Sequence, residues 1–383
     1  MNYIADTYYR YPIEVSHAKG MYIWDIDGKE YIDTFMGIGV LLFGHNYEKV
    51  IEAMKRKMDR YVHLSNFFFD EDAEAIAERL VKESSKGSCK DGKVFFTNSG
   101  TESTECALKV IRKFKKSGKI VSFLRNFHGR TLKALSITGF DSIREQFISE
   151  PDVVFLPYNI DTVREFFESE KDIAAVFVEV VHGSGGLDVI DTEIVKLIKE
   201  YKAQRNFILV ADEVQSGLGR TGKFYAYQHF DMEPDIITLA KGLGGGLPLG
   251  ACVLLGEYKD AFTKGEHGST FAPNPVALAG GRAVLELIND NTLSHVEKMG
   301  AIFEEDFNLN FVESIKGMGL MRGLVIKPEV KDIIKITPEL FLQHGLLVNV
   351  LGNGVIRLLL PLNITEHESN IVAERFKKVL EKF

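Results

Sequence analysis

The sequence predicts an α/β protein: a large domain with a mostly parallel seven-stranded sheet between helices, and a small α+β domain assembled from both chain ends. Three observations carry this. Short apolar runs recur seven times between residues 93 and 256, they alternate little, and stretches of helical spacing separate them. Strands read this way when helices cover both faces of a parallel sheet, because neither face then selects polar side chains.

Taken in order, Met21–Asp33 reads as two alternating segments flanking Asp27-Gly28, a strong hairpin signal. The seven runs are Val94–Thr97, Ile120–Phe123, Val153–Leu156, Ala174–Val178, Phe207–Ala211, Ile236–Leu239 and Ala251–Leu255. Between them, Thr101–Lys116 and Asp191–Gln204 have helical spacing. Beyond residue 256 a helix around Asn274–Leu287 leads to strand-like pieces at Leu320–Ile326, Leu346–Val350 and Val355–Leu359, and to an amphipathic helix near Glu366–Lys382. The expected organisation is an N-terminal segment over 1–50, a large domain over 51–260, connecting helices over 261–310 and a C-terminal α+β unit over 311–383. No fixed-period repeat or low-complexity tract interrupts it.

Composition narrows the function classes. The 383 residues are 45% apolar, enough for a large core and at odds with disorder. With 46 Lys plus Arg against 54 Asp plus Glu, the net charge of −8 argues against a general nucleic-acid or anionic-membrane surface. No apolar run approaches the roughly 20 residues of a membrane helix. The first residues lack a basic region followed by an apolar one, so no signal peptide is visible and the expected location is the cytoplasm. Three scattered cysteines, Cys89, Cys106 and Cys252, fit reduced thiols and neither a disulfide framework nor a zinc site; no metal is expected.

Three constellations carry chemistry. Thr97-Asn98-Ser99-Gly100-Thr101-Glu102-Ser103 follows an apolar strand and opens a helix, whose first N–H groups and positive dipole end suit a phosphate; alternatively Ser99 or Thr101 is simply its cap. Asp212 ends the run Phe207–Ala211, in the crevice where α/β proteins hold ligands, and could pair with a cationic ring nitrogen, with Gln215 donating to a nearby oxygen. Capping the next turn is its plainer reading. Lys241 ends the run Ile236–Leu239 ahead of Gly242-Leu243-Gly244-Gly245-Gly246. Burial there would favour the neutral amine needed for a Schiff base, whereas a lone Lys-Gly is more often a solvated turn. Gly217–Gly222 matches G-x-G-x-x-G, but it stands five residues beyond the strand and no clear helix opens at it, which weakens a dinucleotide reading.

Together, a phosphate cradle, a carboxylate for a pyridinium nitrogen and a lysine are the parts that hold pyridoxal 5′-phosphate. The chain resembles the class III, fold-type I, pyridoxal-phosphate aminotransferases, nearest the acetylornithine and ornithine aminotransferase group. The likeness runs from G-x-x-x-W-D-x-D-G-x-x-Y-x-D at Gly20–Asp33 to V-I-R-L-L-L-P-L at Val355–Leu362. It implies a homodimer with shared active sites and a place in arginine biosynthesis. An amino group would move from an ω-amino donor, N-acetylornithine first, to a 2-oxo acid such as 2-oxoglutarate, by ping-pong chemistry through a Schiff base at Lys241. Carried over, Ser99, Gly100 and Thr101 hold the phosphate, with Thr270 reaching in from the other subunit. Phe127 stacks on the ring, beside His128 in the cofactor site. Asp212 keeps the ring nitrogen protonated, Gln215 meets the phenolic oxygen, and Lys241 moves the proton. Arg130 and Arg357 clamp substrate carboxylates, a task for a planar fork.

One segment departs from the family. Where the group has E-P-I-Q-G-E-G-G, this chain has Glu179-Val180-Val181-His182-Gly183-Ser184-Gly185-Gly186. In ornithine-type enzymes the second acid pairs with the arginine matching Arg357, and Ser184, at the edge of the substrate site, cannot. Either Arg357 stays unpaired and takes a carboxylate in both half-reactions, or another acid substitutes. Other readings are a different class III activity (an ornithine, 4-aminobutyrate, lysine or diamine aminotransferase, a mutase or a racemase), a dinucleotide-dependent oxidoreductase, or a non-catalytic cofactor-binding protein.

Overall fold

A computed structural model describes residues 3–84, 91–148, 150–329 and 338–380. The seven apolar runs form one sheet: β4 (Gly92–Thr97), β5 (Lys119–Phe123), β6 (Val153–Leu156), β7 (Ile173–Val178), β8 (Ile208–Asp212), β9 (Ile236–Leu239) and β10 (Gly250–Leu255), in spatial order β4-β10-β9-β8-β7-β5-β6. Pairings from β9 through β6 are parallel, and β10 runs antiparallel to both neighbours. Alternate residues serve two separate cores. Ala175, Phe177, Ile208 and Val210 face one with Ile111, while Val176, Val178, Leu209 and Ala211 face the other with Ile194 and Ile198. With both faces buried, polar alternation disappears, and each buried Val or Ile contributes roughly 1.5–3 kcal/mol.

The flanking helices are α1 (Glu48–Met58), α2 (Glu71–Ser84), α3 (Gly100–Phe114), α4 (Ile160–Ser169), α5 (Thr192–Arg205), α6 (Pro275–Leu287), α7 (Asp290–Asp306) and α8 (Glu366–Leu380). Their starts are written in the sequence. Ser99, Asp191 and Asn274 each accept a first-turn N–H, and Pro275 follows its cap where the missing N–H costs nothing. Among the described residues no helix is long and apolar enough to cross a membrane. Cys106 and Cys252 are free thiols buried in one core; Cys89 and Lys382 lie outside the described residues.

The N-terminal hairpin is β2 (Tyr22–Asp25) and β3 (Glu30–Asp33), with β1 (Val15–Lys19) added on its outer side. Near the C-terminus, β11 (Val312–Met318) and β12 (Met321–Ile326) pair, and β15 (Ile356–Leu359) joins β12. One expected strand is corrected. Leu346–Val350 is not continuous: β13 (Leu346–Leu347) lies parallel to β3, whereas β14 (Asn349–Val350) lies antiparallel to β15 in a different sheet. The chain changes sheets at Val348, whose backbone N–H and C=O are both taken up by the Tyr11 hydroxyl instead of by a ladder.

Candidate active site

The carboxyl ends of β4, β5, β7, β8 and β9 share one sheet edge, and the residues that follow them line a cavity of about 460 Å³. Asn98 to Thr101 come from the β4–α3 turn, Phe127 to Arg130 follow β5, Glu179 and Ser184 follow β7, Asp212 and Gln215 end β8, and Lys241 follows β9. This is the edge at which open parallel sheets bind ligands. Gly217–Gly222 instead forms a turn followed by a 3-10 segment, Ala226–Phe230, so no helix opens at its glycines.

At one end, Ser99 Oγ accepts the Glu102 N–H at 3.4 Å, leaving the N–H groups of Gly100 and Thr101 without an intrahelical acceptor. Ser99 thus caps α3, and Ser99, Gly100 and Thr101 line the cavity. No side chain fits at Gly100, where a Cβ would lie 2.9 Å from Val214. Thr101 Oγ1 meets Thr131 Oγ1 at 2.9 Å and accepts the Arg130 and Thr131 N–H groups at 3.3 Å, which ties the cradle to the Phe127 loop.

At the other end, Asp212 Oδ2 lies 2.6 Å from His128 Nδ1, both residues buried, and Asp212 Oδ1 accepts the Val214 N–H at 3.1 Å. The aspartate thus caps its turn with one oxygen and meets the histidine with the other. Glu179 closes the pocket floor: Oε1 accepts the Phe127 N–H at 3.0 Å and Oε2 the Gly183 N–H at 3.1 Å. Burial, and then the Asp212 charge, push its carboxyl up to about 7 against the pull of His128. One ligand atom from each of His128, Glu179 and Asp212 lies within 4.8 Å of the others, so three acid–base groups share this floor, each already hydrogen-bonded within the protein.

Lys241 lines the same cavity, half-buried, at φ +48, a left-handed backbone uncommon for any residue but glycine. Burial, then the neighbouring Arg357 charge, bring its ammonium down to about 8, while Glu179 and Asp212 pull the other way. The neutral amine therefore becomes the main form above that pH. Covalent capture of pyridoxal phosphate by the apoprotein is expected to accelerate about tenfold per pH unit below 8 and to level above it. Stopped-flow absorbance across the pH range checks this, and continued acceleration toward the ordinary lysine value would contradict it.

Arg357 does not line the cavity itself but backs it. Its Nη1 donates to Gly183 O at 2.7 Å and to Gln215 Oε1 at 3.2 Å, and its Nε and Nη2 donate to Asn349 Oδ1 at 3.0 and 2.7 Å. Among the described residues no carboxylate forms an ion pair with it: no substitute acid is found, Arg357 has no acid partner as the first sequence alternative has it, and a neutral amide, Asn349, holds the guanidinium. Gln215, expected at a phenolic oxygen, has its amide oxygen on Arg357 and its amide nitrogen left to donate. A Cβ at Gly183 would sit 2.6 Å from the Gln215 amide carbon, so a side chain there would displace that amide. Arg130 is exposed and packs its guanidinium 5.5 Å from the Phe127 ring centre. Thr270 is exposed and lies outside this chain's cavity, although the adjoining Ser269 meets Asn98 at 3.3 Å. Glu179, Asn349 and the pairing of His128 with Asp212 were not found from sequence. The pair Asn353-Gly354 signalled a turn here, but a two-residue loop would set Val350 opposite Arg357; the longer loop over 351–355 sets Asn349 there.

The cavity chemistry fits pyridoxal phosphate: free helix N-terminal amides at one end, a buried carboxylate–histidine pair at the other, and a lysine amine in the same cavity. Comparisons agree. Residues 3–380 match the family described as Aminotransferase class-III. The acetylornithine aminotransferases of Aquifex aeolicus and Bacillus subtilis are 39% and 38% identical, each covering 99% of this chain and 100% and 98% of their own lengths. Among solved structures, the acetylornithine aminotransferase of Stenotrophomonas maltophilia is 27% identical at a TM-score of 0.82, covering 98% of this chain and 97% of its own. An ornithine aminotransferase from Toxoplasma gondii, its active site partly occupied by PLP, is 28% identical at 0.89, covering 99% and 92%. From a seven-stranded α/β sheet whose edge assembles this pocket, and from relatives matched along their whole length, it follows that this chain belongs to the class III aminotransferases, enzymes that take an amino donor and a 2-oxo acid.

Proposed function

We propose that the chain transfers the ω-amino group of N-acetylornithine to 2-oxoglutarate, using pyridoxal phosphate at a site shared between two copies of the chain, in the cytoplasm. The observation that carries the reading is the alignment of three groups along one cavity: the α3 N-terminus, Lys241 and the Asp212–His128 pair. Residues 51–260 would hold the cofactor, and the two chain ends would form the small domain beside it.

Bound pyridoxal phosphate supplies an electron-withdrawing ring that makes an adjacent C–H bond acidic. The chain supplies the rest. The Gly100 and Thr101 N–H groups, with the α3 dipole, bind the phosphate, and Thr270 of the partner subunit adds its hydroxyl. Phe127 covers one ring face, held there by its backbone bond to Glu179. Asp212 Oδ2, oriented by His128, keeps a proton at the ring nitrogen. Lys241 Nζ, whose ammonium is brought down to about 8, would serve as the base that takes the proton from the substrate carbon and hands it on toward the cofactor. Arg130 and Arg357 orient the substrate carboxylates.

The test is a panel of acetylornithine, ornithine, 4-aminobutyrate, lysine and succinylornithine crossed with pyruvate and 2-oxoglutarate. The acetylornithine and 2-oxoglutarate pair is expected to give the highest kcat/KM. A higher value for any other pair replaces this substrate assignment.

A further inference from the structure

We infer that Asn349 determines which substrates Arg357 receives: it holds the guanidinium with a neutral carbonyl, so Arg357 keeps its charge for the carboxylate of the amino donor as well as that of the 2-oxo acid. The inference rests on the aminotransferase reading above and names the donor class, ω-amines that carry a carboxylate.

The placement comes from a hairpin. β14 and β15 are antiparallel with Asn349 directly opposite Arg357. The connection closes through the Leu351 N–H on Val355 O and the Gly354 N–H on Leu351 O, both 2.8 Å, with Gly354 at φ +83. Side chains directly opposite on neighbouring strands are each other's nearest partners, so position 349 controls what meets one edge of the guanidinium.

The donor inventory shows what is left. A guanidinium has five N–H bonds. Asn349 Oδ1 straddles the Nε–Nη2 edge, and Gly183 O and Gln215 Oε1 take the two hydrogens of Nη1. One Nη2 hydrogen remains, and of the two acceptors on Nη1 the Gln215 side chain is the movable one, its contact at 3.2 Å the longest of the four. Gln215 lines the cavity, as does Ser184 beside Gly183. Swinging that one amide aside opens a two-pronged site for a carboxylate without disturbing the Asn349 clamp.

Charge decides the consequence. A carboxylate at position 349 or 184 would satisfy the same N–H groups and also neutralise the cation. An amide satisfies the geometry and leaves the charge. Burial lowers the Arg357 guanidinium, the Glu179 charge offsets this only in part and without a hydrogen bond to it, and an incoming carboxylate relieves the remaining desolvation cost. With no charged mask, nothing reserves that relief for the 2-oxo acid alone.

The experiment titrates wild-type holoenzyme and the variants Asn349→Asp and Asn349→Ala with glutarate, a dicarboxylate bearing no reacting group, by calorimetry. N349D keeps the shape and the acceptors but adds the missing charge. It is expected to weaken glutarate binding about 10- to 100-fold, the range of a hydrogen bond to a charged group. It should also raise KM for both the donor and 2-oxoglutarate by more than it lowers kcat. N349A, which loses the clamp without adding charge, should weaken binding less than N349D. A merely structural asparagine would reverse that order, since N349D preserves every contact. Equal glutarate affinity for wild type and N349D, or no glutarate binding by wild type, overturns the inference. A wild type that binds glutarate but transfers no amino group overturns the functional reading and leaves the Arg357 assignment standing.

Discussion

Lys241→Ala is expected to lower amino transfer by a factor on the order of 10⁵ or more and to abolish borohydride-reducible attachment of the cofactor, the largest effect of any single change in this chain. Lys241 is the lysine among the residues lining the cavity, which the α3 cradle and the Asp212–His128 pair also line. Two tasks converge on its Nζ: holding the cofactor and moving the proton. A neighbouring base could replace the second only by reaching the same point. Glu179, the nearest buried acid–base group with a suitably raised value, already accepts two backbone N–H groups and is fixed by them. The variant should fold, because alanine removes a buried charge and tolerates the backbone no worse than lysine does. Mass spectrometry after borohydride treatment is the direct measurement. A covalent adduct that survives in the variant would move the assignment to a different lysine.

Asp212→Asn is expected to reduce kcat about 10²- to 10³-fold, the usual scale for removing one preorganised electrostatic partner. The change preserves shape, so the loss would report charge. An amide cannot hold a proton at a ring nitrogen, and whichever way it turns, its NH₂ faces either His128 or the ring. A second signature separates this from misfolding. Asp212 is one of the charges that hold the Lys241 ammonium up, so removing it lets Lys241 become neutral at a pH lower than about 8. The acid limb of the kcat profile should move downward in pH together with the loss in rate. Wild-type kcat with an unmoved acid limb would remove Asp212 from the mechanism.

Much of this protein was legible before any coordinates. The seven strands fell on the seven apolar runs because a strand buried on both faces, as Ile173–Val178 is, has no polar positions to confuse with a surface helix. Ser99, Asp191 and Asn274 announced helix starts because capping is a contact across two or three residues. Asp212 and Lys241 could be paired because strands of one parallel sheet end at one edge, which makes a position along a strand also a position in space. What depends on a spacing of a few residues was therefore available in the order of the amino acids.

What the tertiary structure alone decided involves neighbours that no local pattern brings together. His128 meets Asp212 only because β5 and β8 flank β7, and Glu179 touches the Phe127 loop only because β7 lies beside β5. The apolar run Leu346–Val350 looked like one strand, yet Val348 delivers its two halves to different sheets, and Tyr11 from the opposite end of the chain satisfies the backbone at the change. Ser184 showed from sequence that the usual acid was missing. That Asn349 holds Arg357 instead follows from the register of a hairpin, and register is settled by packing a whole sheet face and not by the identity of either residue.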